Sequence, residues 1–169
     1  MTPTGIEIER KFLIKMPSAQ ALISRGARIK SITQTYLIPI DTETARVRMI
    51  NENGQIYYVK TVKRKISDLS HFEDEYDISK EQYETELKRR DTSKTPIEKT
   101  RYCIDFAPHV LEIDIYPFWN DRAILEIELS SENEMFEIPE YIEIIKEVTS
   151  DGRYKNTNLA KQIPMDIVE

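Results

Sequence analysis

Residues 5–14 read Gly-Ile-Glu-Ile-Glu-Arg-Lys-Phe-Leu-Ile, and their alternation decides the fold. Ile6, Ile8, Phe12 and Ile14 fall on one parity, and Glu7, Glu9 and Lys11 on the other. Successive side chains of a strand point to opposite faces, so this period of two predicts a strand with one apolar and one charged face. Working outward, the same pattern recurs at about 33–38, 45–50, 56–65, 71–78, 98–106, 110–116 and 123–129, which makes eight strands. Turn residues separate them, including Asn53-Gly54 and Pro96. Helical patterns are fewer: 17–25, 79–90 (with Ser79 and Gln82 in capping-box spacing), 139–148 behind Pro139, and about 154–162. Eight strands in a chain of 169 residues predict a closed antiparallel β-barrel with helices outside, because closure removes edge strands. The whole of 1–169 reads as one domain.

The charges on the polar faces sort largely by sign. Arg46 and Arg48 share a face, as do Thr61, Lys63 and Lys65, and Lys99 and Arg101. Glu73 and Glu75, Glu112 and Asp114, and Glu126 and Glu128 form acidic pairs, while the first strand mixes both signs. A solvated sheet face explains any single pair. Like charges side by side cost energy unless a ligand compensates them, however, and here both kinds recur. If the barrel closes with these faces inward, its interior is a two-signed lumen and the apolar faces lie under the helices. Arg46, Arg48, Lys63, Lys99 and Arg101, with Lys11, then suit a grip on phosphates. Glu7, Glu9, Asp114, Glu126 and Glu128 offer hard oxygen ligands for Mg²⁺ or Mn²⁺. Together the sets read as a metal-dependent polyphosphate site.

Composition narrows the alternatives. The net charge of −6 argues against nucleic acid or an anionic membrane as partner. Cys103 is the sole cysteine, so neither an intrachain disulfide nor a Cys-rich zinc site is available, and two histidines are too few for a His-based one. The four glycines are too scattered for a phosphate-binding backbone loop. No apolar run reaches the ~20 residues of a membrane span and no signal peptide is evident, so a cytoplasmic protein is expected. Cys103 reads as a small buried thiol, His71 as a surface residue, and Trp119 as a packing residue.

The ordered motifs Glu7-x-Glu9-x-Lys11, Arg46-x-Arg48, Thr61-x-Lys63, Glu73-x-Glu75, Lys99-x-Arg101-Tyr102, Asp114 and Glu126-x-Glu128 resemble those of the CYTH domain, or triphosphate tunnel metalloenzyme, superfamily. The tail Glu-Val-Thr-Ser-Asp-Gly-Arg-Tyr-Lys-Asn-Thr-Asn-Leu-Ala at 147–160 resembles that of small bacterial members. The resemblance implies a barrel forming a tunnel and a divalent-metal-dependent action on triphosphates. A hydrolase releasing phosphate from inorganic tripolyphosphate leads; an adenylate cyclase or a thiamine triphosphatase of the same superfamily are alternatives, and a polyphosphate-binding module is the non-enzymatic one. Glu7 and Glu128 join Lys11 and Tyr36 as candidate catalytic residues, and Glu73, Glu75 and Arg153 as further lumen residues. The resemblance also suggests that Tyr36 meets Lys11, to hold it or to pass a proton; ordinary wall packing is the competing reading of Tyr36. Apolar outer faces leave room for a homodimer.

Overall fold

A computed structural model describes residues 5–166 and 168. Eight antiparallel strands form a ring: β1 (Gly5–Lys15), β2 (Arg28–Tyr36), β3 (Thr44–Glu52), β4 (Gln55–Lys65), β5 (Ser70–Ile78), β6 (Ile97–Phe106), β7 (His109–Ile115) and β8 (Arg122–Leu129). Their spatial order is β5-β4-β3-β2-β6-β7-β8-β1, and β1 closes the ring by pairing with β5 from Gly5↔Glu73 to Ile8↔Ser70. The expected closed barrel is therefore the observed one. Asn53 and Gly54, at φ 54° and 81°, make the two-residue turn between β3 and β4, as their left-handed preference dictates.

Closure uses only the first part of β1. Beyond Ile8, β5 has left, and the vacated edge at Phe12–Ile14 is taken by a short ninth strand, β9 (Ile144–Glu147). This corrects the helix expected over 139–148. Its apolar spacing suits either element, but Ile142, Ile144, Ile145 and Val148 are β-branched, and an open edge of β1 offers ladder hydrogen bonds that an isolated helix there would forgo. Two other helices form much as expected. α1 (Ala19–Ser24) is capped by Ser18, and α2 (Lys80–Leu87) opens with both halves of the Ser79/Gln82 capping box. The final helix is shorter than expected: a 3₁₀ turn, Gly152–Tyr154, precedes α3 (Asn156–Leu159).

The apolar faces point outward, as the parity of charges requires. On one flank, Phe12, Ile14, Ile104, Leu111, Leu125 and Ile127 are buried beneath Leu22 of α1 and the segment around Phe136–Ile142. On the other, Val47 and Leu37 pack with Tyr83 of α2. One group of inward residues is apolar too. Leu13, Tyr36, Ile97 and Ile124 join Tyr116, Trp119, Tyr154 and Leu159 in a cluster that seats the C-terminal segment against one end of the barrel. Trp119 is the packing residue expected of it, its indole donating to the Pro164 carbonyl at 3.3 Å.

Candidate active site

The ring encloses a cavity of about 550 Å³. The side chains that line it descend from the parity argument: Glu7, Glu9 and Lys11 from β1, Arg46 and Arg48 from β3, Thr61 and Lys63 from β4. Glu73 and Glu75 come from β5, Arg101 from β6, and Glu126 and Glu128 from β8. Tyr36 also reaches it. Sites built on paired strands hold their geometry better than sites on loops, and nearly every one of these groups stands on a strand.

The cations are largely held by acids. Lys63 Nζ donates to Glu7 Oε1 at 2.6 Å and lies 3.4 Å from Glu73 Oε2. Arg48 pairs with Glu75, and Lys11 Nζ lies 3.6 Å from Glu126 Oε1. Burial alone would raise the Glu7 carboxyl, yet the Lys63 ammonium beside it holds it well below the usual range. Glu126 behaves likewise: burial is outweighed by Lys11, Arg101 and Lys99, and its basicity falls far below normal. Arg46 is different. Its guanidinium bonds the Tyr36 hydroxyl, no carboxylate of the described residues lies within salt-bridge distance, and its buried Nε has no partner there.

Two carboxyls move the opposite way. Glu9 is pushed up to about 8 by burial first and by Glu126 second, with Glu7 adding to the repulsion. Glu73 rises to about 8 through burial and its hydrogen bond with Glu7. Glu128 is raised by burial and by Glu7 and Glu112. Such crowding leaves these carboxyls readily protonated and favours any cation that comes near them. Among the described residues no three acids converge on one point, since Glu7 leans to Lys63 and Glu126 to Lys11. The donor chemistry nonetheless fits a hard dication: all-oxygen, facing a cavity, and short of positive charge at Glu9.

Three expected residues lie outside the lining. Lys99 and Asp114, expected as phosphate and metal ligands, have fully buried side chains joined at 2.8 Å. Arg101 completes the triad, with Nε 2.7 Å from Asp114 Oδ1, and also meets Glu112 at 2.9 Å. Asp114 is held below its usual range by Arg101 and Lys99 in spite of burial. Its oxygens are already spent. Arg153, expected in the lumen, is exposed and paired with Asp151 and Asp166, because it sits in a turn whose cap is Asp151. Tyr36 and Lys11 also have other partners: the Tyr36 hydroxyl accepts from Gln34 Nε2 at 3.2 Å, while Lys11 Nζ donates to the Tyr154 carbonyl at 3.5 Å.

The cavity also takes residues the sequence reading passed over. Glu112, paired with Asp114 by parity but given no role in the site, lines it. His71, expected at the surface, lines the lumen with a buried, unpartnered Nδ1, and burial together with Lys63 and Lys155 pushes it down to about 4. Thr149 and Lys155 come from the irregular tail, where no periodicity marks a face. Cys103 is buried, as expected.

Comparison with known proteins agrees with this architecture. The sequence profile of the CYTH domain matches residues 5–161. An inorganic triphosphatase from Acetivibrio thermocellus is 34% identical over 158 residues, covering 93% of this chain and 94% of that one. Among solved structures, the inorganic triphosphatase NE1496 aligns over 96% of this chain and 99% of its own at 28% identity, with a TM-score of 0.56. A conserved hypothetical protein from Pyrococcus furiosus shares the fold at 19% identity and a TM-score of 0.56, covering 75% of this chain and 80% of that one.

Proposed function

The chain belongs to the CYTH domain family, and from that premise we propose that this triphosphatase hydrolyses inorganic tripolyphosphate, with Mg²⁺ or Mn²⁺ as its metal. The observation that carries the reading is the lumen itself: basic and acidic side chains share one cavity, with Arg46 lacking a carboxylate partner among the described residues and Glu9 crowded by other acids. A polyanion supplies what Arg46 lacks and a divalent cation what Glu9 lacks.

Arg46, Arg48, Lys63 and Arg101 bind and orient the phosphate chain by charge-assisted hydrogen bonds, with Lys11 at its end. Glu7, Glu9 and Glu126 would hold the metal, which when bound would neutralise phosphate charge and acidify the attacking water, leaving Glu128 free to act as base. Water forms a bond to the terminal phosphorus as the bridging P–O bond breaks, and diphosphate departs with that bond's electron pair. The water's proton goes to the Glu128 carboxylate, whose raised basicity suits a general base. Lys99 and Asp114 act differently from the cavity-facing set: they fix the Arg101 guanidinium toward the cavity.

A panel of tripolyphosphate, ATP, GTP, thiamine triphosphate and longer polyphosphate, each with Mg²⁺ or Mn²⁺, tests the proposal. Phosphate release greatest from tripolyphosphate is expected. Cyclic AMP from ATP would point to a cyclase, and binding without turnover on any substrate to a binding module. A cytoplasmic location and a homodimer belong to the same proposal, the latter supported by exposed Ile29 and Ile56 on the outer sheet face and tested by sedimentation.

A further inference from the structure

The two mouths of the tunnel differ in charge. One is flanked by the β2–β3 and β4–β5 connections, where Thr42, Lys65 and Asp68 line the cavity beside the C-terminal segment. The other lies toward the β3–β4 turn and presents Tyr57, Asp77 and Lys30, the last 4.0 Å from Glu52. At the first mouth stands Lys155, which carries part of the lining although it lies on no strand.

Lys155 is placed there by its neighbours. It is extended (φ −70°, ψ 138°) between Tyr154 and Asn156, both buried. Asn156 accepts from the Tyr116 hydroxyl at 2.5 Å, Tyr154 donates to Asp166 at 2.5 Å, and the next residue, Thr157, accepts from Lys94 at 2.5 Å. The backbone on either side is thus tied down, and the half-buried side chain between is committed to the cavity. Two residues earlier Arg153 is neutralised by two aspartates, whereas no carboxylate of the described residues lies within salt-bridge distance of Lys155. Its nearest charged company is repulsive, Lys65, Lys11 and Lys63, with Asp68 the opposing acid. Lys65 is paired with Asp68 at 2.9 Å, Lys63 with Glu7 and Lys11 with Glu126, so Lys155 is the lysine of this mouth left without an acid among the described residues. A cation in that state at the entrance of a low-dielectric tunnel draws incoming anions.

We propose that Lys155 anchors the outer end of the phosphate chain, so that the triphosphate threads in between the β2–β3 and β4–β5 connections; this rests on the triphosphatase reading above. Lys155 makes its contact on binding and is remote from the bond that breaks, so it serves affinity rather than the chemical step.

Steady-state hydrolysis of tripolyphosphate by Lys155→Gln is expected to show KM raised about five- to tenfold with kcat within about twofold, and Lys155→Arg to restore most of the affinity. Lys30→Ala, at the opposite mouth, is expected to leave KM unchanged. An unchanged KM in Lys155→Gln, a loss confined to kcat, or a KM rise in Lys30→Ala alone would each overturn the proposal. Calorimetric titration of chelated protein with inorganic tripolyphosphate separates this from the hydrolase reading. Binding about fivefold or more weaker in Lys155→Gln supports the anchor even if the wild type turns nothing over. Equal affinities, or no binding by either protein, contradict it.

Discussion

The triad of Lys99, Arg101 and Asp114 and the acid cluster of Glu7, Glu9, Glu126 and Glu128 are charged groups on neighbouring strands of one barrel, and Asp114 and Glu9 in them behave oppositely. In the triad each charge has a partner within 3 Å, and Asp114 is sealed from solvent. In the cluster Glu9 faces a cavity among other acids, and its carboxyl is pushed up to about 8 by burial and by Glu126. The lesson is that a charged side chain in a barrel interior is scaffold when its partners are already in the fold. Where they are not, as at Glu9, burial and the neighbouring acids raise the carboxyl instead.

The sharpest way to break that comparison is to remove the centre of the triad. Asp114→Ala leaves Lys99 buried without its acid and Arg101 with only Glu112 and Glu126, and breaking a buried pair in this way costs about 3–5 kcal/mol. Thermal denaturation should show a Tm lower by about 6–20 °C. If Tm were unchanged, Asp114 would be a ligand rather than scaffold. Glu126→Ala should do the reverse. Phosphate release should fall about a hundredfold or more, while the chelated protein loses less Tm than Asp114→Ala does, because Glu126 meets Lys11 and Arg101 only at 3.6 Å. Strong destabilisation there would move Glu126 to the structural side.

The barrel was legible because one rule, parity along a strand, sorted both the apolar wall and the charged lumen; Glu7, Arg48, Lys63 and Glu126 all face where that rule sent them. Parity says which face a residue takes, but not which partner it meets there, and so the pairing of Asp114 with Lys99 and Arg101 outside the lining was not foreseen. Nor does it reach irregular chain. In the tail, Arg153 was expected in the lumen, but Asp151 caps it on the outside and Lys155 takes the inward place. The segment 139–148 failed for a third reason: its spacing fits a helix, and only the vacated edge of β1, a contact more than a hundred residues distant in sequence, makes it a strand.

Within the lumen, the phosphate grip lies between the two extremes. Arg48→Ala removes a charge-assisted contact and should lower kcat/KM roughly ten- to hundredfold in a phosphate-release assay, a cost of about 1.5–3 kcal/mol. A change within about twofold would take Arg48 out of the grip. The smallest effect belongs to Tyr36, whose hydroxyl is engaged by Gln34 and Arg46. Tyr36→Phe should lower turnover by no more than about threefold. A tenfold loss that is less than additive with Lys11→Ala would instead join Tyr36 to Lys11 during turnover.

The central claim, that Glu9, which has no ion-pair partner among the described residues, takes its counter-charge from a divalent cation, is tested most directly by thermal stability against pH with and without Mg²⁺. Glu9 has a folded-state value above the ordinary 4.5, so its contribution to stability is complete below that value and is lost as pH rises through about 8. Chelated wild-type protein should therefore lose stability between pH about 5 and about 9, and Mg²⁺ should restore it at the upper end. Glu9→Gln should make the pH loss shallower, Glu73 retaining part of it, and should weaken the Mg²⁺ effect. A pH profile that Glu9→Gln leaves unchanged, with no stabilisation of the wild type by Mg²⁺, would contradict the account.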